Sequence, residues 1–182
     1  MSETQQSQEN TEEIEVCIEC QKLVKCMSKV YCNICPICYD LLIEQEREWR
    51  DQIPFQPATL IVDPSHDTQY NKNTPIIYLG PENSAYNLEY LHQQKIDRVL
   101  IVGNCMFPKF EKEGIIYDKI EIEDMPEMNI KQFFNQAFEF IQGTKSAVLI
   151  HCASGISRSA TITIAWLMKN NKTRFEQTRD FV

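Results

Sequence analysis

One stretch of 23 residues, 146–168, constrains the fold more than any other part of the sequence. It begins with an apolar run at residues 147–150, which is long enough only for a buried strand. It ends with residues 160–168, which are apolar on almost every side and predict a buried helix. Between them lies His-Cys-Ala-Ser-Gly-Ile-Ser-Arg-Ser, residues 151–159. A strand, a short loop of small residues and a helix N-terminus form a nest of backbone N–H groups that suits a tetrahedral oxyanion.

The side chains of this loop predict a cysteine nucleophile that attacks phosphate. Cys152 stands at the start of the loop, where a helix N-terminus and a nearby cation lower a cysteine pKa from about 8.5 to roughly 3.5–7.5. Arg158 offers a planar fork of donors for two phosphate oxygens, and Gly155 supplies backbone freedom in mid-loop. We expect the Ser159 hydroxyl to donate to the sulfur and help it leave in a second, hydrolytic step. We expect His151 to orient the loop, because a thiolate needs no base.

The pattern His-Cys-x-x-Gly-x-x-Arg-Ser after a strand resembles the signature of the cysteine-based protein tyrosine phosphatases. The fuller sequence HCASGISRSATITIAWLMK is similar to the dual-specificity phosphatases, especially to the MAP-kinase-phosphatase kind. The resemblance covers residues 76–182 and implies hydrolysis of phosphotyrosine and phosphoserine or phosphothreonine through a phosphocysteine, without a catalytic cofactor. It implies a phosphoprotein substrate, with a MAP kinase as one candidate. The implied phosphate-binding residues are Ala153, Ser154, Gly155, Ile156, Ser157 and Arg158.

A second catalytic group is required, because transfer of phosphate to Cys152 leaves an oxyanion that needs a proton. In the family that this chain resembles, the acid comes from the loop before the long helix rich in phenylalanine. Asp124 matches that position. Glu123 and Glu127 lie in the same loop and remain rivals.

Strands and helices alternate from residue 76 onward. Predicted strands cover residues 76–80, 98–103, 115–122 and 145–150, and predicted helices cover 83–94, 130–141 and 160–168. This order predicts an α/β fold with a mostly parallel central sheet, helices on both faces and the site beyond the carboxyl ends of the strands. By resemblance, residue 182 falls within the helix that follows the active-site helix. Residues 76–182 are therefore interpreted as a catalytic domain truncated at its C-terminus.

Six of the eight cysteines lie between residues 17 and 38. Because no secretory signal precedes them, this clustering favours metal ligation over disulfides. Cys17-x2-Cys20 and Cys32-x2-Cys35, eleven residues apart, suit one structural tetrahedral zinc. Cys35-x2-Cys38 is an alternative pair and Cys26 lies between, so other metal stoichiometries and unmetallated or redox cysteines remain open.

The chain is predicted to have four parts: a disordered acidic tail (1–15), a cysteine-rich zinc-finger-like module with a short helix (16–50), a linker rich in proline (51–75) and the catalytic domain (76–182). A brief edge strand is expected within the linker, at residues 58–63. The module is expected to bind a protein partner.

The charge distribution excludes several function classes. Residues 1–75 carry 13 acidic and 6 basic side chains, and residues 76–182 carry 13 and 12. Neither part has the basic stripe expected for nucleic acid or an anionic membrane. With no signal peptide and no run of ~18 apolar residues, we expect a cytoplasmic protein, with the nucleus as the alternative. Rival functions are a phosphatase of RNA 5′ ends, phosphoinositides or glucans, and a weakly active zinc-finger interaction module.

Overall fold

The structure is a computed structural model that describes residues 52–66, 70, 73–104 and 106–182, and the backbone of two short strands near the N-terminus. The chain divides into two units, residues 1–52 and 53–182. None of the helices in the described ranges is long and apolar enough to cross a membrane.

The first unit contains an antiparallel hairpin of β1 (Ile14–Val16) and β2 (Leu23–Lys25), with Val16 opposite Leu23. β1 thus begins one residue before the predicted end of the tail at residue 15. The connection between the strands contains positions 17 and 20 of the predicted zinc site. Those cysteines, the other predicted ligands at 32 and 35, and the predicted helix after them lie outside the described residues.

The second unit is built on a five-stranded sheet. Its strands are β3 (Thr59–Val62), β4 (Ile76–Pro81), β5 (Ile96–Val102), β6 (Ile116–Ile120) and β7 (Ala147–Cys152), in the order β3-β4-β7-β5-β6. Four of them are parallel, and β3 runs antiparallel to β4 at the edge. The predicted α/β class with a mostly parallel sheet is therefore confirmed. β7 occupies the centre and all six of its residues are buried, which explains its unbroken apolar run.

The described residues of the second unit contain four α-helices: α1 (Leu88–Gln93), α2 (Phe134–Gln142), α3 (Arg158–Asn171) and α4 (Phe175–Arg179). Short 3₁₀ helices, Glu82–Tyr86 and Ile130–Phe133, precede α1 and α2. Alternate residues of β7 enter two separate cores. Val148 and Ile150 pack in the core that contains residues of α2 and α3, whereas Leu149 packs in the core that contains Leu91 of α1. Both faces of the sheet are therefore covered, as predicted.

The predicted helix over residues 83–94 is instead two pieces. Asn87 is extended (φ −114°, ψ 102°) and separates the first 3₁₀ helix from α1. Its side-chain oxygen accepts a hydrogen bond of 2.9 Å from the backbone N–H of Tyr90. Asparagine stabilises a helix start in this way. A new helix therefore begins after Asn87, although the apolar residues of 83–94 have the spacing of one continuous helix.

The segment predicted as a linker, residues 51–75, contributes to the folded unit. β3 lies within the expected edge-strand segment, and Ile61 and Val62 are buried in the core beside α2 and α3. The strand pairs with β4 and leaves Leu60 facing solvent. The compact unit therefore begins at Ile53, well before the predicted start at residue 76.

Candidate active site

The central strand delivers the predicted nucleophile to the carboxyl edge of the sheet. Cys152 is the last residue of β7, Arg158 is the first residue of α3, and five loop residues join them. We call residues 152–158 the phosphate loop. The side chains at the loop's mouth are exposed at Ala153, Ser154, Ile156 and Ser157. This confirms the strand–loop–helix arrangement predicted from the sequence.

Gly155 shapes the phosphate loop because no other residue fits its position. Its φ is +78°, a conformation that L side chains rarely adopt. A Cβ atom there would lie 2.6 Å from the carbonyl carbon of Gly80, at the end of β4. The backbone N–H of Glu82 donates to the carbonyl of Ala153 at 3.1 Å. The end of β4 thus supports the loop from behind, a contact that the sequence did not reveal.

The sulfur of Cys152 is buried and surrounded by donors. It accepts hydrogen bonds from the Ser159 hydroxyl at 3.1 Å and from the Gly155 backbone N–H at 3.3 Å. Burial by itself raises the pKa of the thiol. The Ser159 hydroxyl and the backbone N–H groups of Ser159, Gly155 and Ser157 together outweigh that effect, so the pKa of Cys152 is lowered. The site therefore favours the thiolate, which is the nucleophilic form.

His151 is buried beneath the loop, and its pKa falls to about 4 because burial disfavours the charged ring. Its Nδ1 lies 3.4 Å from the carbonyl oxygen of Cys152. At neutral pH the ring is therefore uncharged and packed against the backbone of the nucleophile. This arrangement suits the orienting role expected for His151.

Arg158 is the last residue of the phosphate loop, and only 13% of its side chain is exposed. Its Nη1 donates to the carbonyl of Ile122 at 3.2 Å. Gly103, which follows β5, provides the space: a Cβ there would lie 2.5 Å from Nη1. Sequence reasoning missed Gly103, and the available signal was a glycine directly after an apolar strand.

Asp124 is the carboxylate that the structure brings to the phosphate loop. Its Oδ1 accepts a hydrogen bond of 2.7 Å from the Ser157 hydroxyl, and its Oδ2 lies 3.6 Å from Nε of Arg158. In the part of the chain that the structure describes, neither Glu123 nor Glu127 forms a hydrogen bond or ion pair with the loop. Within the same residues, no group of three or more His, Cys, Asp or Glu side chains is placed to bind a metal ion.

Comparison with known proteins agrees with this geometry. Residues 77–182 match the family described as "Dual specificity phosphatase, catalytic domain". The chain belongs to the dual specificity phosphatase family. The family assignment predicted from the loop sequence is thereby confirmed.

Individual relatives share this domain. Mouse dual specificity protein phosphatase 19 is 36% identical over 118 residues, which are 63% of this chain and 53% of the relative. Human dual specificity protein phosphatase 7 is 38% identical over 59% of this chain and 27% of the relative. The chain thus spans about half of the first protein and about a quarter of the second.

Solved structures show the same fold. The human tyrosine phosphatase-like serine/threonine/tyrosine-interacting protein superposes with a TM-score of 0.55 at 31% identity. The match covers 58% of this chain and 76% of that one.

Proposed function

We propose that this protein is a protein phosphatase that hydrolyses phosphotyrosine and phosphoserine or phosphothreonine through a phosphocysteine intermediate. One observation carries the proposal. The Cys152 sulfur lies among donors that favour its thiolate, at the floor of a loop that ends in Arg158. Asp124 stands at the same loop.

In the first step, the Cys152 thiolate attacks phosphorus. The S–P bond forms as the ester P–O bond breaks, and Asp124 gives its proton to the leaving oxygen. The backbone N–H groups of the loop and the guanidinium of Arg158 bind the phosphate oxygens, whose charge they stabilise in the transition state. The buried, uncharged His151 keeps the nucleophile in place.

In the second step, water attacks the phosphocysteine and gives its proton to the Asp124 carboxylate. The S–P bond breaks, and inorganic phosphate and the thiolate are released. The Ser159 hydroxyl, 3.1 Å from the sulfur, stabilises the departing thiolate. The same groups that lower the pKa of the thiol therefore make the sulfur a good leaving group.

The surface around the loop favours protein substrates. Ile156 is 78% exposed and Met125, next to Asp124, is 55% exposed, so two exposed apolar side chains lie in the phosphate loop and beside the acid. The variable positions of the phosphate loop, residues 153, 154, 156 and 157, include no lysine that could bind a polyanion. This weighs against RNA 5′ ends, phosphoinositides and glucans as substrates. A relative from Dictyostelium discoideum, 38% identical, is named MAP kinase phosphatase with leucine-rich repeats protein 1. A MAP kinase is accordingly our candidate substrate.

The N-terminal unit is proposed to bind one structural zinc and a protein partner. The sequence spacing supports the zinc, because Cys17-x2-Cys20 and Cys32-x2-Cys35 are two pairs of thiols, each separated by two residues, that suit one tetrahedral ion. The zinc and the reactive thiolate both fit the cytoplasm or the nucleus, which are reducing compartments.

A substrate panel tests the function directly. Phosphotyrosine, phosphothreonine and phosphoserine peptides are compared with 5′-phosphorylated RNA, a phosphoinositide and a phosphorylated glucan, using parental and Cys152→Ser protein. We expect the peptides to be hydrolysed fastest and the variant to be inactive on all of them. Faster turnover of a non-protein phosphate would reject the substrate class, and activity in pure Cys152→Ser protein would reject the mechanism.

A further inference from the structure

Two adjacent residues, Ser157 and Arg158, contact opposite oxygens of one carboxylate. The Ser157 hydroxyl donates to Oδ1 of Asp124 at 2.7 Å, and Nε of Arg158 lies 3.6 Å from Oδ2. Asp124 lies 33 residues before Ser157, in the loop between β6 and the second 3₁₀ helix. These contacts join the loop that carries the acid to the phosphate loop.

The two contacts differ in strength. The Ser157 hydrogen bond has the length of a strong hydroxyl–carboxylate bond. The Arg158 contact exceeds hydrogen-bond distance, and its Nε is buried without a hydrogen-bond partner. Arg158 also has to bind the substrate phosphate. The Ser157 bond is therefore the contact that can persist when the guanidinium turns to the phosphate.

Little else holds the acid loop in place. Ile122 before it is buried and Ile130 after it is half-buried, whereas residues 124–129 are all exposed. The hydrogen bonds within the segment are local, such as the one from the Met128 N–H to the Met125 carbonyl at 3.1 Å. At its start the segment is joined to Arg158 by the hydrogen bond from Nη1 to the Ile122 carbonyl at 3.2 Å. Beyond that point, the position of the exposed residues relative to the phosphate loop depends mainly on the contacts of Asp124.

Ser157 occupies the N-cap position of α3, but its side chain does not cap the helix. It is the residue before α3, where a serine hydroxyl usually accepts a hydrogen bond from the first turn of the helix. Its side chain makes no such capping bond. The hydroxyl is directed to Asp124 instead, so the helix gives up a common source of stability at this point.

We propose that Ser157 is a positioning residue for the general acid. Its hydroxyl fixes Oδ1 of Asp124 and leaves Oδ2, the oxygen that faces Arg158, to carry the proton to the leaving oxygen. This inference rests on the phosphatase function proposed above. It assigns to one loop side chain a part in proton transfer, beyond the phosphate binding expected of the loop.

Removing the hydroxyl tests the proposal. Ser157→Ala and Asp124→Asn are each assayed on a phosphothreonine peptide, which has a basic leaving oxygen, and on an activated aryl phosphate, which needs little protonation. We expect Ser157→Ala to lower kcat/KM on the peptide about 10- to 100-fold, because kcat/KM reports the step in which the leaving oxygen is protonated and not the later hydrolysis that both substrates share. The loss of kcat/KM on the aryl phosphate should be clearly smaller. Ser157→Ala should add no further loss in the Asp124→Asn background.

A matched pair controls for packing. Ser157→Thr keeps the hydroxyl and Ser157→Val has the same shape without it. Ser157→Thr should keep most of the parental rate on the peptide, and Ser157→Val should lose as much of that rate as Ser157→Ala. Equal losses on both substrates, equal rates for Thr and Val, or an additive loss in the Asp124→Asn background would each overturn the role of Ser157.

A different result would show that the proposed phosphatase mechanism itself is wrong. In that case the Cys152→Ser protein stays active, or the loss in Asp124→Asn does not depend on the leaving group. If Asp124→Asn is selective and Ser157→Ala is not, only the Ser157 inference fails.

Discussion

The Ser159 hydroxyl lies 3.1 Å from the Cys152 sulfur, although the two residues are seven positions apart and belong to a helix and a strand. Both side chains are buried. A hydroxyl in this position donates a hydrogen bond that is stronger to a thiolate than to a thiol, so it stabilises the thiolate. The contact therefore links the reactivity of the sulfur to the packing of α3 against β7.

That contact predicts the pH dependence of Ser159→Ala. The pKa of Cys152 is lowered, so the thiolate is present above that pKa and lost as the pH falls through it. Without the hydroxyl, one of the groups that lower the pKa is gone, and the acidic limb of kcat/KM should move to higher pH. On that limb kcat/KM falls about tenfold per pH unit, because only the thiolate reacts. Ser159→Thr should keep the parental limb, and an unmoved limb in Ser159→Ala would contradict the assignment.

His151 predicts a pH dependence of stability. Its pKa is about 4 in the folded protein, below the ordinary 6.5, so the unfolded chain gains a proton first as the pH falls. The stability due to the neutral ring is complete above pH 6.5 and is lost progressively toward pH 4. From pH 6.5 to 5 the loss amounts to about 2 kcal/mol. Urea unfolding at both pH values should show this extra loss in parental protein and not in His151→Asn.

We predict that activity requires the space that Gly103 leaves beside the Arg158 guanidinium. A Cβ at Gly103 would lie 2.5 Å from Nη1 of Arg158 and 2.2 Å from Cε of Met106. Gly103→Ala should therefore displace the guanidinium and lower kcat/KM about 10- to 100-fold. Gly114→Ala is the matched control, since Gly114 also has positive φ (+91°) but nothing within 4 Å of an added Cβ. Equal losses in both variants would assign the effect to backbone strain alone.

We predict that the cysteine-rich N-terminal unit binds one zinc ion per chain. Elemental analysis of protein purified without added metal should find about one zinc per chain, bound by Cys17, Cys20, Cys32 and Cys35. Freely titratable thiols and no zinc would reject this prediction. Chelation should unfold the first unit and leave aryl phosphate hydrolysis in place, because the proposed chemistry uses no metal.

Local patterns predicted much of the fold and the centre of the site. The apolar run of β7, the small residues after it and the helix pattern of α3 are contiguous, so one segment of sequence specifies the phosphate loop. The break at Asn87 escaped prediction because a single side-chain cap outweighs the surrounding periodicity.

Contacts between distant segments were not readable from the sequence. Gly80 meets Gly155 and Gly103 meets Arg158 only after β4, β5 and β7 are placed side by side. The choice among three carboxylates in one loop likewise depends on a partner 33 residues away, since Ser157 binds Asp124. Tertiary packing decides which of these residues come into contact, and spacing along the chain does not predict that packing.

The last prediction separates Asp124 from its acidic neighbours. Its hydrogen bond with Ser157 places it at the phosphate loop, whereas Glu123 and Glu127 have no such contact among the residues that the structure describes. An aryl phosphate with a good leaving group needs little protonation, but the oxygen that leaves phosphotyrosine or phosphothreonine is far more basic. Asp124→Asn should therefore lower kcat/KM on phosphopeptides by about 10²–10⁴-fold and on the aryl phosphate much less.

Glu123→Gln and Glu127→Gln are the controls, because each removes one negative charge from the same loop. Neither should produce a loss that depends on the leaving group. All three variants are compared on both substrates at one pH, so that the difference between substrates reports proton donation and not ionisation of the nucleophile. If a glutamine variant shows the selective loss and Asp124→Asn does not, the acid is that glutamate, and the contact between Asp124 and Ser157 serves only to attach the loop.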